Sequence, residues 1–203
     1  GDGTEWGSLH PCCLSGSARF FKPAYSIFLI KKWLPSIKDA VATLTRGGSF
    51  ADIGCGFGHS TTMIAEQFPQ SSIKGIDPHE QSIHEARKMA EQKNLNNLTY
   101  EIASAENYTG EYDIISFFDC LHDMGDPVAA VSYAKTKLKA GGALMIIEPY
   151  ADDEVSKNFN IIGQMYYSFS TIACVPASKS QEGGLALGAQ AGLKKLTNVL
   201  NNG

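Results

Sequence analysis

The residues best suited to chemistry are one aspartate and three closely spaced glycines. They form the run Asp52-Ile53-Gly54-Cys55-Gly56-Phe57-Gly58, which follows an apolar segment and precedes a helical pattern. Glycine lets a ligand approach bare backbone, and a strand, glycine turn and helix in succession are where parallel sheets bind nucleotides. Asp77 comes 23 residues after Gly54, near the spacing of a carboxylate that binds ribose hydroxyls. We therefore predict a nucleotide-cofactor site, with a plain tight turn and a helix cap at Asp77 as the alternatives.

The glycine spacing also separates two classes of cofactor. Dinucleotide enzymes carry Gly-x-Gly-x-x-Gly, whereas this chain has Gly-x-Gly-x-Gly, and His59 stands where their third glycine would be. This difference disfavours a nicotinamide-dependent oxidoreductase, which we keep as a competing hypothesis.

His122 is the best candidate for a catalytic base. It lies three residues after Asp119, just past a predicted strand end, and histidine is the side chain most often used for proton transfer. A hydrogen-bonded turn histidine is the alternative. Asp123 and Asp126 suggest a metal, but capping of the next helix explains Asp126 more simply, so we predict no metal site.

Alternating strands and helices must position these residues. Apolar runs predict five strands, at residues 49–53, 72–77, 98–103, 113–118 and 143–148. Helical signals predict helices over 60–68, after Pro78, and from Asp126 to near Gly141. Such alternation implies an α/β fold with a parallel sheet covered on both faces, whose strand ends share one crevice. Five polar residues are expected at those ends: Asp52, Asp77, Ser104, Asp119 and Glu148.

The flanks of this alternating core have a different character. Residues 1–22 are rich in Gly, Ser and Cys and predict an irregular lead, while 24–44 predict two short helices. Residues 155–176 predict an aromatic helical insertion, and a last helix is expected over about 185–200.

Composition and charge limit the classes of function. The 203 residues are 43% hydrophobic and 19% charged, which is typical of a globular protein. A net charge of -4 argues against nucleic-acid binding, and neither a membrane-crossing run nor a secretory signal is visible. Five cysteines, an odd number without Cys-x-x-Cys, favour a reducing, cytoplasmic setting. We predict one domain with three parts: 1–203 overall, with a lead at 1–47, a cofactor-binding core at 48–149, and an insertion and last helix at 150–203.

The segment from about 48 to 149 resembles the core of class I S-adenosylmethionine-dependent methyltransferases. The matching segments occur in the right order over half the chain: Ala51 to Gly58, Gly75-Ile76-Asp77, Ser104-Ala105-Glu106, Phe117 to Asp123, and Leu138 to Gly142. The resemblance implies a Rossmann-like, doubly wound, mostly parallel sheet of at least five strands in the order 3-2-1-4-5. It also implies that strands 6 and 7, usual in this fold, are missing from the chain.

The resemblance implies a role for each matching residue. Gly54 and Gly56 would pack against the methionyl part of the cofactor, Asp52 would order the loop and the cofactor's ammonium group, and Asp77 would hold the ribose hydroxyls. Ala105 and Glu106 would border adenine, and Phe118 and Asp119 would close the site from strand four. The cofactor-binding residues predicted in full are Asp52, Gly54, Cys55, Gly56, Asp77, Pro78, Ser104, Ala105, Glu106, Phe118 and Asp119.

Three flanking motifs narrow the resemblance to methyltransferases whose catalytic domain follows a winged-helix-like domain, and we expect that domain to be missing from this sequence. These motifs are Gly1 to Gly7, Ala18 to Pro23, and Ser180 to Gly184. We therefore predict methyl transfer from S-adenosylmethionine to a small, partly apolar acceptor, with a homodimer as a possible assembly and neither nucleic acid nor membrane as partner. The alternative is a non-catalytic S-adenosylmethionine-binding regulatory module.

Overall fold

A five-stranded sheet in the order β3-β2-β1-β4-β5 forms the centre of the fold. The computed structural model describes residues 3–203; Gly1 and Asp2, which open the N-terminal motif, lie outside them. The sheet is parallel throughout, as expected when each strand is separated from the next by a helix or long loop. The strands are β1 Ser49–Ile53, β2 Ser72–Asp77, β3 Leu98–Ile102, β4 Tyr112–Phe118 and β5 Leu138–Ile147.

β1 lies in the middle of the sheet and is buried along almost its whole length. It pairs with β2 on one side and β4 on the other, so Asp52 is level with Gly75 and with Ser116. This central position explains why the strand is buried at four of its five positions, Asp52 included. The predicted strands and their order are confirmed, except that β5 begins five residues early, at Leu138 rather than 143. The glycine pair at 141–142 does not end the preceding helix, which stops at Lys137, but lies inside the extended segment.

Eight α-helices are present in the described chain, several of them short. They are α1 Pro11–Ala24, α2 Ala40–Thr45, α3 His59–Gln67, α4 Glu80–Gln92, α5 Pro127–Lys137, α6 Ile161–Phe169, α7 Val175–Lys179 and α8 Leu193–Asn202. A π-helical segment, Tyr25–Trp33, continues α1, and a second one, Ser170–Cys174, joins α6 to α7. Short 3-10 turns cover Trp6–Ser8, Leu34–Ser36, Leu121–Asp123 and Val155–Asn158.

The prediction of an irregular lead over 1–22 is wrong from Pro11 onward. Proline at the first position of α1 fits a helix start, because that N–H has no helical partner in any case. The last helix also begins later than predicted, at Leu193 rather than about 185. Gly188 and Gly192 have φ of +70° and +80° in the preceding segment, a conformation that interrupts a right-handed helix.

The chain folds as two compact units. The first, called the sheet unit, comprises residues 11–118 and 136–146; the second, called the His122 unit, comprises, of the described residues, 3–10, 119–135 and 147–203. The sheet unit has a core of fully buried apolar side chains, among them Phe50, Ile64, Ile76, Ile114 and Phe117. The single domain over 1–203 stays a prediction. In the described residues, no helix combines the length and the apolar character needed to span a bilayer.

Candidate functional site

The glycine turn is fixed to the neighbouring strand by its backbone. The N–H groups of Gly54 and Cys55 both donate to the carbonyl oxygen of Ile76, at 2.8 and 3.0 Å. The turn therefore folds over the end of β2 before α3 begins. Gly58, with φ of +73°, is the residue that leads into α3, a conformation that glycine adopts without steric cost.

Asp77 at the end of β2 is bound directly to this turn. Its Oδ2 accepts the Gly56 N–H at 2.8 Å and its Oδ1 accepts the His79 N–H at 2.8 Å. Burial raises the pKa of Asp77, and the two backbone N–H groups oppose that rise. The structure thus brings together Gly54, Gly56 and Asp77, three of the predicted cofactor residues.

Asp52 is fully buried and its two oxygens are occupied by hydroxyl groups. Oδ2 accepts from Ser60 Oγ at 2.6 Å and from Thr61 Oγ1 at 2.7 Å, and Oδ1 accepts from Ser116 Oγ at 3.2 Å. Burial raises the pKa of Asp52 to about 6 against the opposition of these hydroxyls. Asp52 therefore ties the first turn of α3 to the central strands, while its contact with an ammonium group stays a prediction.

Tyr100 on β3 packs against the glycine turn, a contact that no sequence signal indicated. Its hydroxyl lies 3.3 Å from Thr62 Oγ1. A Cβ added at Gly58 would collide with the Tyr100 hydroxyl, and one at Gly75 would collide with the Tyr100 ring. The absence of side chains at these two positions makes room for the aromatic ring under the turn.

The remaining predicted cofactor residues of the sheet unit differ in exposure. Cys55 and Phe118 are buried, and the Phe118 ring lies 5.9 Å from that of Tyr25. Ser104 and Glu106 are exposed and lie in a turn after β3, where Ser104 Oγ accepts the Glu106 N–H at 3.2 Å. Two further residues complete the set: Ala105, which is partly exposed, and Pro78, which is exposed.

In the His122 unit, a second group of polar side chains surrounds the predicted base. Glu148 directly follows β5, and its Oε1 accepts the N–H groups of Leu121 and His122 at 2.8 and 3.3 Å. Glu148 Oε2 is hydrogen-bonded to His122 Nδ1. Asp119, predicted as a cofactor residue, also belongs to this unit, has φ of +52°, and donates its N–H to Ile147 O at 2.8 Å.

The second nitrogen of the His122 ring, Nε2, lies near a carboxylate and a thiol. His122 Nε2 lies 3.2 Å from Asp123 Oδ1, and Cys174 from the π-helical segment interacts with both His122 and Asp123. Burial lowers the pKa of His122, but the carboxylates of Asp123 and Glu148 outweigh it, and the pKa lies well above its ordinary value. Sequence reasoning missed Cys174, because a cysteine about 50 residues away from a histidine carries no local signal.

The loop that carries His122 is braced by the predicted flanking motif at 180–184. Gln181 Oε1 accepts the Gly125 N–H at 3.0 Å, and Gln181 Nε2 donates to Asp123 O at 2.9 Å. Ser178 Oγ donates to Met124 O at 2.7 Å. Asp126 accepts the Ala129 N–H at 2.9 Å, which confirms the prediction that it caps the next helix.

Comparison with known proteins connects this arrangement to a family. A family model described as "Methyltransferase domain" matches residues 44–201. The chain is 27% identical over 129 residues to a ubiquinone biosynthesis O-methyltransferase of Acinetobacter baylyi, a match covering 60% of this chain and 51% of that protein. It is 29% identical over 105 residues to a trans-aconitate 2-methyltransferase of Deinococcus radiodurans, covering 52% of this chain and 39% of that one.

The fold is also similar to that of solved structures. An O-methyltransferase family protein from Burkholderia thailandensis superposes with a TM-score of 0.67 at 16% identity, covering 94% of this chain and 52% of that one. The chain thus spans about half the length of the relatives that it matches.

Proposed function

This chain belongs to the methyltransferase-domain family, and on that premise we propose that it binds S-adenosylmethionine and transfers the methyl group to a small molecule. The observation that carries the proposal is the hydrogen bond between Asp77 and the Gly56 N–H. It places a carboxylate, suited to a ribose diol, directly beside a glycine turn. No atom lies within 4 Å of a Cβ added at Gly56, so the backbone there is open to a ligand.

The residues of the sheet unit would bind and orient the cofactor. Asp77 would accept hydrogen bonds from the ribose hydroxyls, and Gly54 and Gly56 would lie against the methionyl part. Asp52 would act indirectly, because its hydrogen bonds with Ser60 and Thr61 hold the helix that follows the turn. The predicted adenine neighbours follow β3: Ser104, Ala105 and Glu106.

The cofactor supplies a methyl group activated by its sulfonium, so the chain must orient the reactants and manage one proton. Holding the reactants in a near-attack geometry lowers a barrier by up to about 7–11 kcal/mol. In its neutral form, His122 would accept the proton of a hydroxyl acceptor at Nε2, because Nδ1 is engaged with the Glu148 carboxylate. Since the pKa of His122 is raised by the neighbouring carboxylates, this neutral form gains population as the pH rises. Glu148 would orient the ring and stabilise the imidazolium that forms.

A hydroxyl is the acceptor group that this arrangement supports best. A base is needed only where the nucleophile must lose a proton, and an O-methyltransferase is among the relatives. A partly apolar acceptor agrees with the segment that precedes and begins α6, where Phe159 and Ile161 are 78% and 80% exposed. The net charge of -4 favours a small acceptor over a nucleic acid. An odd number of cysteines without a Cys-x-x-Cys pattern agrees with a reducing, cytoplasmic setting.

A binding measurement followed by a turnover measurement tests the proposal. Calorimetry with S-adenosylhomocysteine should show binding, and radiolabelled methyl should then pass from S-adenosylmethionine to at least one member of a panel of phenols, enols and hydroxy acids. If the chain binds S-adenosylhomocysteine but methylates no member of the panel, the non-catalytic module would be favoured. Binding of NAD alone would overturn the cofactor assignment.

The role of His122 has its own test. His122→Ala should lower kcat by about 10²–10⁴-fold while the Kd for S-adenosylhomocysteine changes less than about threefold. Glu148→Gln keeps a hydrogen-bond acceptor but removes the charge, so it should lower kcat less than His122→Ala does. Equal losses of turnover and cofactor affinity in His122→Ala would make the residue structural.

A further inference from the structure

Three side chains that are good metal ligands converge in the His122 unit. His122, Asp123 and Cys174 each offer one ligand atom, and these atoms all lie within 4.8 Å of one another. His122 and Cys174 are buried and come from different segments of the chain. Tetrahedral zinc sites need about 3.5 Å between nitrogen and sulfur ligands, so the side chains would have to close by only about 1 Å around one ion.

Two further observations point to a cation at this cluster. Asp123 Oδ1 is buried and, in the part of the chain that the structure describes, receives no hydrogen bond of good geometry, although His122 Nε2 lies 3.2 Å away. Glu148 holds His122 Nδ1, which directs Nε2 to the cluster. A carboxylate on the outer nitrogen is the usual partner of a metal-binding histidine, because it fixes the tautomer and makes the ligand more basic.

We propose that His122, Asp123 and Cys174 bind one Zn²⁺ ion, and that the ion inhibits the enzyme. A thiolate and an imidazole select zinc over magnesium or calcium, which prefer oxygen ligands. On binding, a Zn–S, a Zn–N and a Zn–O bond replace three bonds between Zn²⁺ and water, and the Cys174 thiol and the protonated His122 ring each release one proton to solvent. The inhibition rests on the proposed function, because zinc would occupy the lone pair of Nε2 that otherwise accepts the proton of the hydroxyl.

The binding test uses Co²⁺ as a spectroscopic substitute for Zn²⁺ and needs no activity. Titration of the chain with Co²⁺ should give a thiolate-to-cobalt charge-transfer band that saturates at one ion per chain, and Zn²⁺ should displace it. Cys174→Ala should abolish the band and weaken Zn²⁺ binding by at least about 100-fold, since even outer-sphere changes cost 10–100-fold. The double variant Cys12→Ser/Cys13→Ser removes the adjacent pair of thiols of α1 and should keep both the band and the affinity.

The inhibition test uses the same variants in the methyl-transfer assay. Zn²⁺ should inhibit the unmodified chain and EDTA should restore its rate, whereas the rate of Cys174→Ala, measured relative to its own rate without metal, should not respond to Zn²⁺. Cys174→Ser, with a side chain of nearly the same size, separates the loss of a ligand from a folding defect and should also resist inhibition by Zn²⁺.

The absence of the cobalt band, or equal zinc affinity in the unmodified chain and both Cys174 variants, would overturn the proposed metal site. If the chain shows the cobalt charge-transfer band but methylates no acceptor, the metal site is supported and the proposed methyltransferase activity is refuted.

Discussion

At the scale of single residues, two aspartates near the same turn carry out different tasks. Both side chains are buried, but their partners differ: Asp77 accepts two backbone N–H groups, one of them from Gly56, whereas Asp52 is fully enclosed and accepts from three side-chain hydroxyls. Asp77 therefore lies beside the backbone at Gly56, where an added Cβ would meet no atom within 4 Å, while Asp52 has no such opening next to it. We therefore expect substitutions at the two positions to affect different properties.

Substitution of Asp77 should mainly affect cofactor binding. Asp77→Ala should weaken the binding of S-adenosylhomocysteine by at least about tenfold, because ribose hydroxyls lose a charged acceptor. Calorimetry measures the Kd. Glu80→Ala removes an exposed carboxylate from the first turn of the next helix and should leave the Kd unchanged. An unchanged Kd in Asp77→Ala would remove that residue from the site.

Substitution of Asp52 should mainly affect the pH dependence of stability. Its folded-state pKa of about 6 exceeds the ordinary value of 3.8, so the folded chain holds this proton more tightly than the unfolded chain does. The favourable contribution is fully present below about pH 4 and is lost as pH rises to about 6, by about 3 kcal/mol in total. Asp77 and the Cys55 thiol are the titratable groups nearby.

Urea unfolding of the chain and of Asp52→Asn from pH 4 to 7.5 measures this contribution, because asparagine does not titrate. The difference in the free energy of unfolding should shift by about 3 kcal/mol in favour of Asn over that range. Parallel profiles for the two proteins would show that the carboxylate of Asp52 is ionised as readily in the folded state as in the unfolded state.

At the scale of elements, the turn after β1 depends on strands that are distant in sequence. β2 supplies the carbonyl that binds Gly54 and Cys55, and β3 supplies Tyr100, whose ring occupies the space where side chains at Gly58 and Gly75 would lie. The turn is thus shaped by packing within the sheet unit as well as by its own glycines. A side chain at Gly58 should therefore disturb the packing as well as the backbone.

Gly58→Ala should destabilise the chain by about 2–4 kcal/mol. The cost combines a left-handed φ of +73° with contact between the new Cβ and the Tyr100 hydroxyl. Gly16→Ala is the matched control: no atom lies within 4 Å of its added Cβ, so this change inside α1 should stabilise by about 0.5–1 kcal/mol. Urea unfolding measures both.

A double variant separates the two causes of the Gly58 cost. Adding Tyr100→Phe to Gly58→Ala removes the hydroxyl that the Cβ meets and should recover part of the loss. Full additivity of the two single changes would mean that backbone strain alone accounts for the cost.

At the scale of the whole molecule, the chain folds as two compact units with different chemistry. The sheet unit holds the glycine turn and Asp77, and the His122 unit holds the candidate base with its carboxylates and thiol. The chain belongs to a family of methyltransferase domains, and a ligand that binds only the folded state stabilises it by mass action. Measuring the melting temperature of the chain with and without S-adenosylhomocysteine therefore tests whether the chain binds this cofactor.

S-adenosylhomocysteine at about 100 times its Kd should stabilise the chain by about 2.7 kcal/mol. For a protein of this size, the melting temperature should rise by roughly 5–10 °C. NAD at the same concentration should give no shift, because His59 replaces the third glycine of the dinucleotide pattern. A shift with NAD alone would contradict the assignment at the level of the cofactor.

The sequence by itself determined the sheet, its strand order and the position of the glycine turn. The strands and the turn follow from local signals, namely the largely apolar segments of β1 and β2, the glycines at the junction with α3, and the Asp126-Pro127 start of α5. The strand order followed from the resemblance of the whole set of motifs to a known family. Local signals failed where Gly, Ser and Cys, which are poor helix formers, lie within a helix, as in Pro11–Ala24. They also failed where glycine lies within an extended segment instead of ending a helix.

Only the tertiary structure decided which polar groups meet. Glu148 reaches His122 across 26 residues, Cys174 joins them from a separate helix, and Tyr100 lies under Gly58 from 42 residues away. No spacing rule links such residues, because parallel strands and their crossovers bring distant segments to one place. The pKa of each buried group is decided at the same level, since burial and neighbouring charge exist only once the chain has folded.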